Sequence, residues 1–226
     1  MERKVLDKYI QAAAEIGITI GEKERNLFNL YCEELLVWNE KMNLVSVKTR
    51  DDIWMKHFID SLTLLPLIKT PAGRLLDIGS GAGFPGIPIK IAMNTLEVFL
   101  LEASRKRVSF LKHLRRRLRL EGLHIIHKRV EDFVTDESHL HTFDIVVSRA
   151  SLKLPELIRI SSFFLVGNGR VIAMKGPEIT KELKESAEAA TAVGMVFHGS
   201  HDLKLPIMSA NRKIVIYKRV LQSVNR

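Results

Sequence analysis

The stretch LLDIGSGAGFPGIP, Leu75 to Pro88, decides the fold of this chain. It begins as a short apolar run, passes through four glycines within eight residues and restarts at Pro85. This order predicts a buried strand, a tight loop and the first turn of a helix, because glycine permits positive φ and proline suits a helix start. The exposed N–H groups of that helix start favour a ligand with electron-rich groups. We interpret the stretch as a loop that binds a nucleotide-type cofactor.

Length and composition limit the classes of protein to which the chain can belong. The 226 residues support one sizeable α/β domain with a small accessory part, and 46% hydrophobic residues are ordinary for a globular chain. No apolar run approaches the roughly 20 residues of a membrane span, and residues 1–17 lack the apolar segment of a secretion signal. Cys32 is the single cysteine, which excludes a disulfide framework and a cysteine metal cluster. We expect a cytoplasmic protein, and nothing implies a membrane or a protein partner.

The net charge of +9 is unevenly distributed along the chain. Residues 1–70 contain 10 Lys and Arg against 11 Asp and Glu, whereas residues 71–226 contain 25 against 15. Such an imbalance attracts polyanions, of which nucleic acid is the commonest. Many basic proteins bind no nucleic acid, so charge alone leaves both interpretations open.

The first 70 residues are predicted to be helical. Apolar side chains at three- and four-residue spacing indicate helices over 2–16 and 22–42. A third helix is predicted from Asp51 or Asp52 to Leu65, with Asp51 as its N-cap. We expect residues 1–70 to form an N-terminal helical cap and residues 71–226 to form the main α/β domain.

From Arg74 onward, short apolar runs alternate with helical segments. The predicted strands are RLLDIG, LEVFLLE, LHIIH, FDIVVS, GRVIAMK, a run around MVFHG, and KIVIYKRV, and the predicted helices are 85–93, 105–120, 154–165 and 178–192. Continuous apolar strands separated by helices indicate a parallel sheet that is covered on both faces. No helix separates the last two strands, so a seven-stranded, mostly parallel sheet that ends in an antiparallel pair is expected.

Two cofactors fit the glycine loop. The segment from Gly81 to Gly86 matches GxGxxG, the dinucleotide fingerprint, but read from Asp77 the same loop is DxGxGxG, which is typical of class I methyltransferases that use S-adenosylmethionine. Glu102 ends the second strand and could bind ribose hydroxyls in either case. Asp77 could meet an ammonium group, which S-adenosylmethionine has and NAD lacks. We therefore favour a Rossmann-like methyltransferase over an NAD enzyme.

Later strand ends should line the same crevice, because ligands of open α/β sheets bind at the carboxyl ends of the strands. Glu131 follows the third strand and could accept a hydrogen bond from an adenine amino group, although acids at that point also simply begin helices. Arg149 follows the fourth strand and should face the crevice or its lip. Lys175, after the fifth strand, is a weaker candidate.

The absence of two catalytic motifs limits the kinds of atom that could accept the methyl group. The segment Ser148–Ala150 stands where methyltransferases of exocyclic amines usually carry an Asn/Asp-Pro-Pro-aromatic motif. Methylation of a pyrimidine carbon needs a cysteine nucleophile, and the single cysteine, Cys32, is expected to be packed in an N-terminal helix. A ring nitrogen needs no general base, because its lone pair has no proton to lose. A phenol, carboxylate or thiol on a small molecule is also possible.

A basic helix over 105–120 favours a polyanionic substrate. Its apolar stripe is formed by Val108, Leu111, Leu114 and Leu118, and its remaining positions are Arg105, Lys106, Arg107, Lys112, Arg115, Arg116, Arg117 and Arg119. A solvated charged face is the ordinary alternative, but so many cations without acids exceed what solubility needs. We predict RNA contact through Arg115, Arg116, Arg119 and Lys175. A non-enzymatic RNA-binding assembly factor and a small-molecule methyltransferase are the alternatives.

Seven segments together identify a family. They are WNEKMNLVSV (38–47), KHFIDSL (56–62), LLDIGSGAGFPGIP (75–88), LLEASRKRVSFL (100–111), RVEDF (129–133), FDIVVSRA (143–150) and MKG (174–176). With them the chain resembles, along essentially its full length, the RsmG (GidB) family of bacterial small-subunit ribosomal RNA methyltransferases. The resemblance implies S-adenosylmethionine as cofactor, 16S rRNA or the small ribosomal subunit as substrate, and ring nitrogen 7 of a guanosine in the decoding-region loop as the acceptor.

The resemblance also implies site residues. The family's cofactor contacts fall on Gly79, Phe84, Val130, Glu131 and Arg149, to which the loop adds Gly81 and the second strand adds Glu102. The family usually has Asp at the position of Glu102, so ribose contact is expected with altered geometry. Two roles are open for the N-terminal motif residues, a capping or hinge network and a closing lid; these residues are Asn39, Asn43, His57, Asp60 and Ser61. No spacing indicates a metal site, and His198 and His201 are expected at the surface.

Overall fold

The computed structural model describes residues 2–46, 49–149, 151–205 and 211–220. The first part of the chain is helical. It consists of α1 (Glu2–Glu15), α2 (Glu22–Met42), α3 (Arg50–Ile53), a π-helical segment (Trp54–Ile59), α4 (Asp60–Leu62) and a 3-10 turn (Leu65–Leu67). These bounds agree with the predicted helices, except that α3, the π-helical segment and α4 form one run that ends before Leu65. Its π-helical middle has no sequence signature.

The start of α3 differs from the prediction. Thr49, not Asp51, is the N-cap, and its hydroxyl oxygen accepts a hydrogen bond from the backbone N–H of Asp52. Threonine stabilises a helix start in this way because it satisfies an orphan N–H group. Asp51 lies inside the first turn, where its carboxylate accepts hydrogen bonds from Lys8 and Tyr9 of α1. Asp51 therefore ties two helices together.

The end of α2 explains one motif of the N-terminal part. Asn43 stands at the C-cap in the left-handed conformation, with φ 49°, and its N–H donates to the backbone oxygen of Asn39. Asparagine tolerates this conformation better than most residues. The buried side chain of Asn39 accepts from the N–H of Val45 at 2.8 Å and so holds the chain that leaves the helix. For these two residues, the contacts favour the capping role, which is one of the two roles that the sequence left open.

We expect Asn43→Gly to leave the stability unchanged and Asn43→Val to lower it by about 1–2 kcal/mol, because a β-branched residue is strained at positive φ. The side chain of Asn43 is exposed, so neither change removes packing. Urea unfolding of both variants measures the difference. Equal stabilities of the two would contradict the C-cap role.

A seven-stranded sheet follows the helices. The strands are β1 (Arg74–Ile78), β2 (Glu97–Leu101), β3 (Leu123–Ile126), β4 (Phe143–Arg149), β5 (Leu165–Lys175), β6 (Met195–Lys204) and β7 (Asn211–Arg219), in the order β3-β2-β1-β4-β5-β7-β6. The pairs up to β4·β5 are parallel, whereas β7 is antiparallel to both β5 and β6. This arrangement confirms the predicted sheet. β6 is longer than the predicted run around MVFHG. Most of its residues are exposed, so it lacks the apolar pattern that would have indicated its full length.

The helices of the second part are α5 (Gly86–Ala92), α6 (Arg105–Leu118), α7 (Val130–Phe133), α8 (Leu154–Phe164) and α9 (Thr180–Ala192). Successive strand residues face opposite sides of a sheet, and two cores result. On one face Leu75, Val98 and Ile145 pack with α1, α2, α5 and α6, and on the other Leu76, Phe99 and Val146 pack with α8. The N-terminal helices thus share a core with one face of the sheet, and the division between residues 70 and 71 remains a proposal.

The carboxyl ends of β1 to β5 lie at one edge of the sheet, which we call the carboxyl edge. The start of β7 lies there too, because Lys213 pairs with Lys175 at the end of β5. α6 begins at this edge, shortly after β2, and runs back to the opposite edge, where β3 starts. Its 14 residues span about 20 Å.

Candidate functional site

Three of the four loop glycines adopt conformations that other residues avoid. Gly79, Gly81 and Gly83 have φ values of 74°, 60° and 105°. Gly86 does not, contrary to the prediction, and begins α5. Its need for glycine is steric, since a Cβ there would lie 2.4 Å from Leu100 Cδ2. A Cβ on Gly81 would lie 4.0 Å from its nearest neighbour, the backbone oxygen of Gly79, so the loop is open above that residue.

Asp77 caps the helix that follows the loop. Its Oδ2 accepts a hydrogen bond from the N–H of Gly86 at 2.9 Å. The sequence had suggested that the N–H groups of this helix start bind a ligand, but this one is occupied by Asp77. Its Oδ1 is buried and has no partner among the described residues. Burial raises the pKa of Asp77 to about 7. An ammonium group would satisfy the unpaired oxygen, so this carboxylate fits the amino end of S-adenosylmethionine.

Glu102 connects the ends of the first two strands. One carboxylate oxygen accepts from the N–H of Gly81 and the other from the N–H of Ser104, each at 2.8 Å. The side chain is buried and lies 3.8 Å from Arg107. Each oxygen keeps a second lone pair. Glu102 therefore shapes the glycine loop itself and can still accept from ribose hydroxyls, which stays a prediction.

Val130 and Glu131 form the first turn of α7, after Arg129 at the N-cap. Glu131 therefore lies at the start of a helix, which is the second of the two roles considered for it from the sequence. Its side chain is exposed at the carboxyl edge. The position leaves it accessible to an adenine amino group, and cofactor contact remains a prediction for both residues.

Arg149 is held by the N-terminal helices rather than free in a crevice. Its terminal nitrogens donate to the backbone oxygen of Lys56 at 3.2 Å and to His57 Nδ1 at 2.9 Å, and one lies 3.4 Å from Asp60 Oδ2. The guanidinium also covers the ring of Phe84, with Cζ 5.0 Å from the ring centroid. The motif residues His57 and Asp60 therefore meet the end of β4, and this supports a hinge network between the helices and the sheet.

An aromatic cluster stands behind the loop. The ring of Phe84 stacks with Tyr31 of α2 and with His57, with centroid distances of 5.4 and 4.6 Å. Tyr31 donates from its hydroxyl to the backbone oxygen of Ala82 at 2.6 Å. The side chain of Phe84 is buried, and its contact with the cofactor stays a prediction. The sequence carries no signal for this contact, because Tyr31 simply stands among the regularly spaced apolar side chains of α2.

The predicted RNA residues of α6 lie away from the carboxyl edge. Arg115, Arg116 and Arg119 are exposed, as predicted, but they stand at the opposite end of the helix. Arg115 also donates to the backbone oxygen of Leu123 at 3.3 Å. Arg117 binds Glu34 of α2 at 2.5 Å. The basic helix therefore offers a surface that extends from the edge with the glycine loop to the far side of the sheet.

Lys175 does not occupy the exposed position that RNA contact requires. Its side chain is only 9% exposed. Its ammonium donates to the backbone oxygen of Leu152 at 2.7 Å and pairs with Glu182 of α9 at 2.8 Å. The structure contradicts the expected surface location and indicates that Lys175 links the ends of β5 and α9 to the loop after β4.

Cys32 is buried, and burial raises the pKa of its thiol to about 11, which agrees with a packing role. His198 and His201 are exposed on β6, as expected. Among the residues that the structure describes, no group of three or more His, Cys, Asp or Glu side chains could hold a metal ion. Within the same ranges, no helix combines the length and the apolar character that a membrane crossing requires.

Comparison with known proteins agrees with this geometry. A family model described as "GidB: rRNA small subunit methyltransferase G" matches residues 24–215. The Ribosomal RNA small subunit methyltransferase G of Syntrophus aciditrophicus (strain SB) is 46% identical over 93% of this chain and 88% of its own length. The protein of the same name from Desulforamulus reducens is 38% identical over 94% of this chain and 89% of its own.

Comparison with solved structures shows which fold the chain adopts. The crystal structure of M. jannaschii TYW2 in complex with AdoMet superposes with a TM-score of 0.53 at 15% identity, over 67% of this chain and 69% of that chain. At this identity the likeness concerns the fold alone, which is that of Rossmann-like methyltransferases. The family model covers most of the chain, and the two relatives match it at well above 30% identity. The chain therefore belongs to the rRNA small subunit methyltransferase G family.

Proposed function

We propose that the chain methylates ring nitrogen 7 of a guanosine in the decoding-region loop of 16S rRNA. As a member of its family, the chain is an S-adenosylmethionine-dependent methyltransferase of small-subunit rRNA. The nitrogen-7 acceptor goes beyond that statement. It is supported by the state of the titratable groups at the carboxyl edge, which is the observation that carries the proposal.

Two groups that could serve as a general base, Glu102 and His57, are already engaged, and the proposal assigns a third, Asp77, to the ammonium group of the cofactor. Both carboxylate oxygens of Glu102 accept backbone hydrogen bonds, and His57 accepts from Arg149 through Nδ1. Burial lowers the pKa of His57 to about 3, assisted by the cations of Arg149 and Lys56, so its imidazole is a poor base. A ring nitrogen requires none, and catalysis then consists of alignment and electrostatic stabilisation. Acceptors that must lose a proton fit this arrangement less well.

The carboxyl edge also supplies the residues that would bind the cofactor. S-adenosylmethionine, when bound, supplies a methyl group on a positively charged sulfur. We propose that Asp77 holds its ammonium group, that Glu102 accepts from its ribose and that Glu131 accepts from its adenine amino group. Gly79 and Gly81 allow close approach of the loop backbone, and Phe84 and Val130 line the site. Arg149 is proposed to position the reacting groups without acting as an acid or a base.

The decisive experiment maps 7-methylguanosine in 16S rRNA by primer extension or mass spectrometry. We expect a strain without the gene to lack one such nucleotide near the decoding site, and the plasmid-borne gene to restore it. An unchanged modification would contradict the proposal. Methyl transfer to a metabolite at a rate independent of salt would favour a small-molecule enzyme, and failure to bind S-adenosylmethionine in calorimetry would favour an assembly factor. We also propose a cytoplasmic location, because a ribosomal RNA substrate would be met there.

We expect the triple change Arg115→Ala, Arg116→Ala and Arg119→Ala to weaken binding of small-subunit RNA. If the three cations contact phosphates, the slope of log K against log salt decreases by about 2–3. Filter binding of 16S rRNA at several salt concentrations measures this slope. The matched control, Arg159→Ala, Lys181→Ala and Lys184→Ala, removes the same charge from exposed residues of α8 and α9 on the other face. Equal effects of both triple variants would indicate only a loss of overall charge.

A further inference from the structure

Asp60 is a fully buried carboxylate at which three parts of the fold meet. Its Oδ1 accepts a hydrogen bond from Nε of Arg212 at 3.0 Å, and its Oδ2 accepts from a terminal nitrogen of Arg149 at 3.4 Å. Arg149 ends β4 and Arg212 stands near the start of β7, so both cations belong to the carboxyl edge. A buried carboxylate needs such partners to offset its lost hydration. One charge on the N-terminal helices thus fixes two cations of the sheet.

The guanidinium of Arg149 is held in one orientation. Three of the five N–H groups of an arginine are used here, by the Lys56 backbone oxygen, by Asp60 and by His57. The other two have no acceptor among the described residues, and they remain for a ligand. The ring of Phe84 supports the face of the guanidinium. Arg149 is therefore orientated before any substrate binds, which is the condition for electrostatic preorganisation.

His57 serves as a second support only when its imidazole is neutral. Nδ1 accepts from Arg149, which places the proton on Nε2. The ring lies nearly parallel to that of Phe84, with an interplanar angle of 16°. The π-helical segment Trp54–Ile59 carries His57 and leads directly into Asp60. Such π-helical turns recur at functional sites.

We propose that Asp60 is a positioning residue of the methyl transfer, which acts by orientating Arg149 toward the bound cofactor and the target base. The inference rests on the proposed function, in which Arg149 faces the reacting groups. The competing explanation is a purely structural link between helices and sheet. That link would affect the stability of the protein but not the rate of transfer in the folded protein.

A double-mutant cycle separates these explanations. The variants are Asp60→Asn, Arg149→Met and their combination, and each is characterised by thermal unfolding, by calorimetric binding of S-adenosylmethionine and by single-turnover methylation of small ribosomal subunits. We expect Asp60→Asn to slow transfer by about 10–100-fold, since a small misplacement of a catalytic group has such costs. We expect the double variant to be no slower than Arg149→Met, because Asp60 acts through Arg149.

Ser61 offers the matched control. It is also fully buried and adjacent, but its hydroxyl donates only to the backbone oxygen of His57 in its own helix, at 2.6 Å. Ser61→Ala should leave the rate unchanged. If Asp60→Asn does not fold, Asp60→Glu retains the charge and tests the same geometry, with a slower rate and retained folding expected.

Three results would overturn the inference. Rate losses that multiply in the double variant, or a folded Asp60→Asn protein with wild-type rate beside a slow Arg149→Met protein, would reduce Asp60 to a structural link and leave the proposed function intact. A wild-type rate for Arg149→Met would remove Arg149 from the site, and the proposed role of that residue would fail together with the inference.

Discussion

Gly86→Ala is expected to destabilise the protein by about 3 kcal/mol or more, the upper range for overpacking of a core. The added Cβ would lie 2.4 Å from Leu100 Cδ2 and 2.8 Å from Asp77 Oδ2. Leu100 is a fully buried residue of β2, and Asp77 is bonded to the N–H of the same glycine. Neither neighbour can withdraw without a cost, because one is enclosed by the core and the other caps α5.

Gly81→Ala in the same loop is the matched control, and the opposite result is expected. Its Cβ would have no neighbour closer than 4.0 Å, so the only structural cost is that of φ 60°, about 1 kcal/mol. The methyl group would instead occupy the space above the loop that the proposed function assigns to the cofactor. We expect a folded protein whose affinity for S-adenosylmethionine falls by about tenfold or more, since overlap with a ligand costs at least a lost contact.

Urea unfolding and calorimetric titration of both variants measure these effects. The expected pattern is a large loss of stability in Gly86→Ala and a large loss of cofactor affinity with small loss of stability in Gly81→Ala. Wild-type stability of Gly86→Ala would show that the loop and β2 can separate. Wild-type affinity of Gly81→Ala would place the cofactor away from the glycine loop.

The sheet was predictable because its signals are local. The runs Leu75–Ile78, apolar except for Asp77, and Ile145–Val147 are examples, and glycines stand on both sides of the first of them. The number of strands and the antiparallel final pair were predicted, but the strand order was not, because alternating strands and helices are compatible with more than one order. The extension of β6 to Lys204 was not predictable, since an exposed edge strand lacks the apolar pattern on which the prediction depends.

The network around Arg149 could not be derived from spacing. His57 and Asp60 share a helix face, which the sequence indicates, but no local signal states which strand end that face meets 89 residues later. Asp77 is a similar case. Its place before the glycines suggested a ligand for an ammonium group, whereas its bond to Gly86 is a contact across the loop that only the folded chain reveals.

Charge in the sequence also failed to distinguish paired from unpaired cations. Lys175 and Arg117 looked equivalent to their neighbours, yet each has an acidic partner on another element, Glu182 and Glu34 respectively. The predicted parallel sheet already implies that α6 runs from the carboxyl edge to the opposite edge, and the parallel pairing of β2 and β3 confirms it. The acidic partner of Arg117 on α2, by contrast, has no signal in the sequence.

Asp77→Asn is expected to stabilise the fold above pH 7 while it weakens cofactor binding. The pKa of Asp77 is raised by burial to about 7 in the folded protein, from an ordinary value of 3.8. The folded state therefore binds a proton that the unfolded state has already lost, and the contribution of Asp77 to stability decreases as the pH rises from about 4 to about 7. The full difference is on the order of 4 kcal/mol, and asparagine removes it. The asparagine oxygen can still accept from the N–H of Gly86.

Binding of the cofactor has the opposite dependence, because an ammonium group needs the ionised carboxylate. Wild-type protein at pH 6 should therefore release up to one proton on binding S-adenosylmethionine, whereas Asp77→Asn should release none at this site and should lose about 1.5–3 kcal/mol of affinity, the value of a charge-assisted hydrogen bond. Calorimetry in buffers of different ionisation enthalpy counts the protons, and urea unfolding at pH 5 and pH 8 measures stability. Equal proton release by both proteins would separate Asp77 from the ammonium group. Equal pH dependence of their stabilities would mean that Asp77 is ionised throughout, and the capping bond to Gly86 would then be its only role.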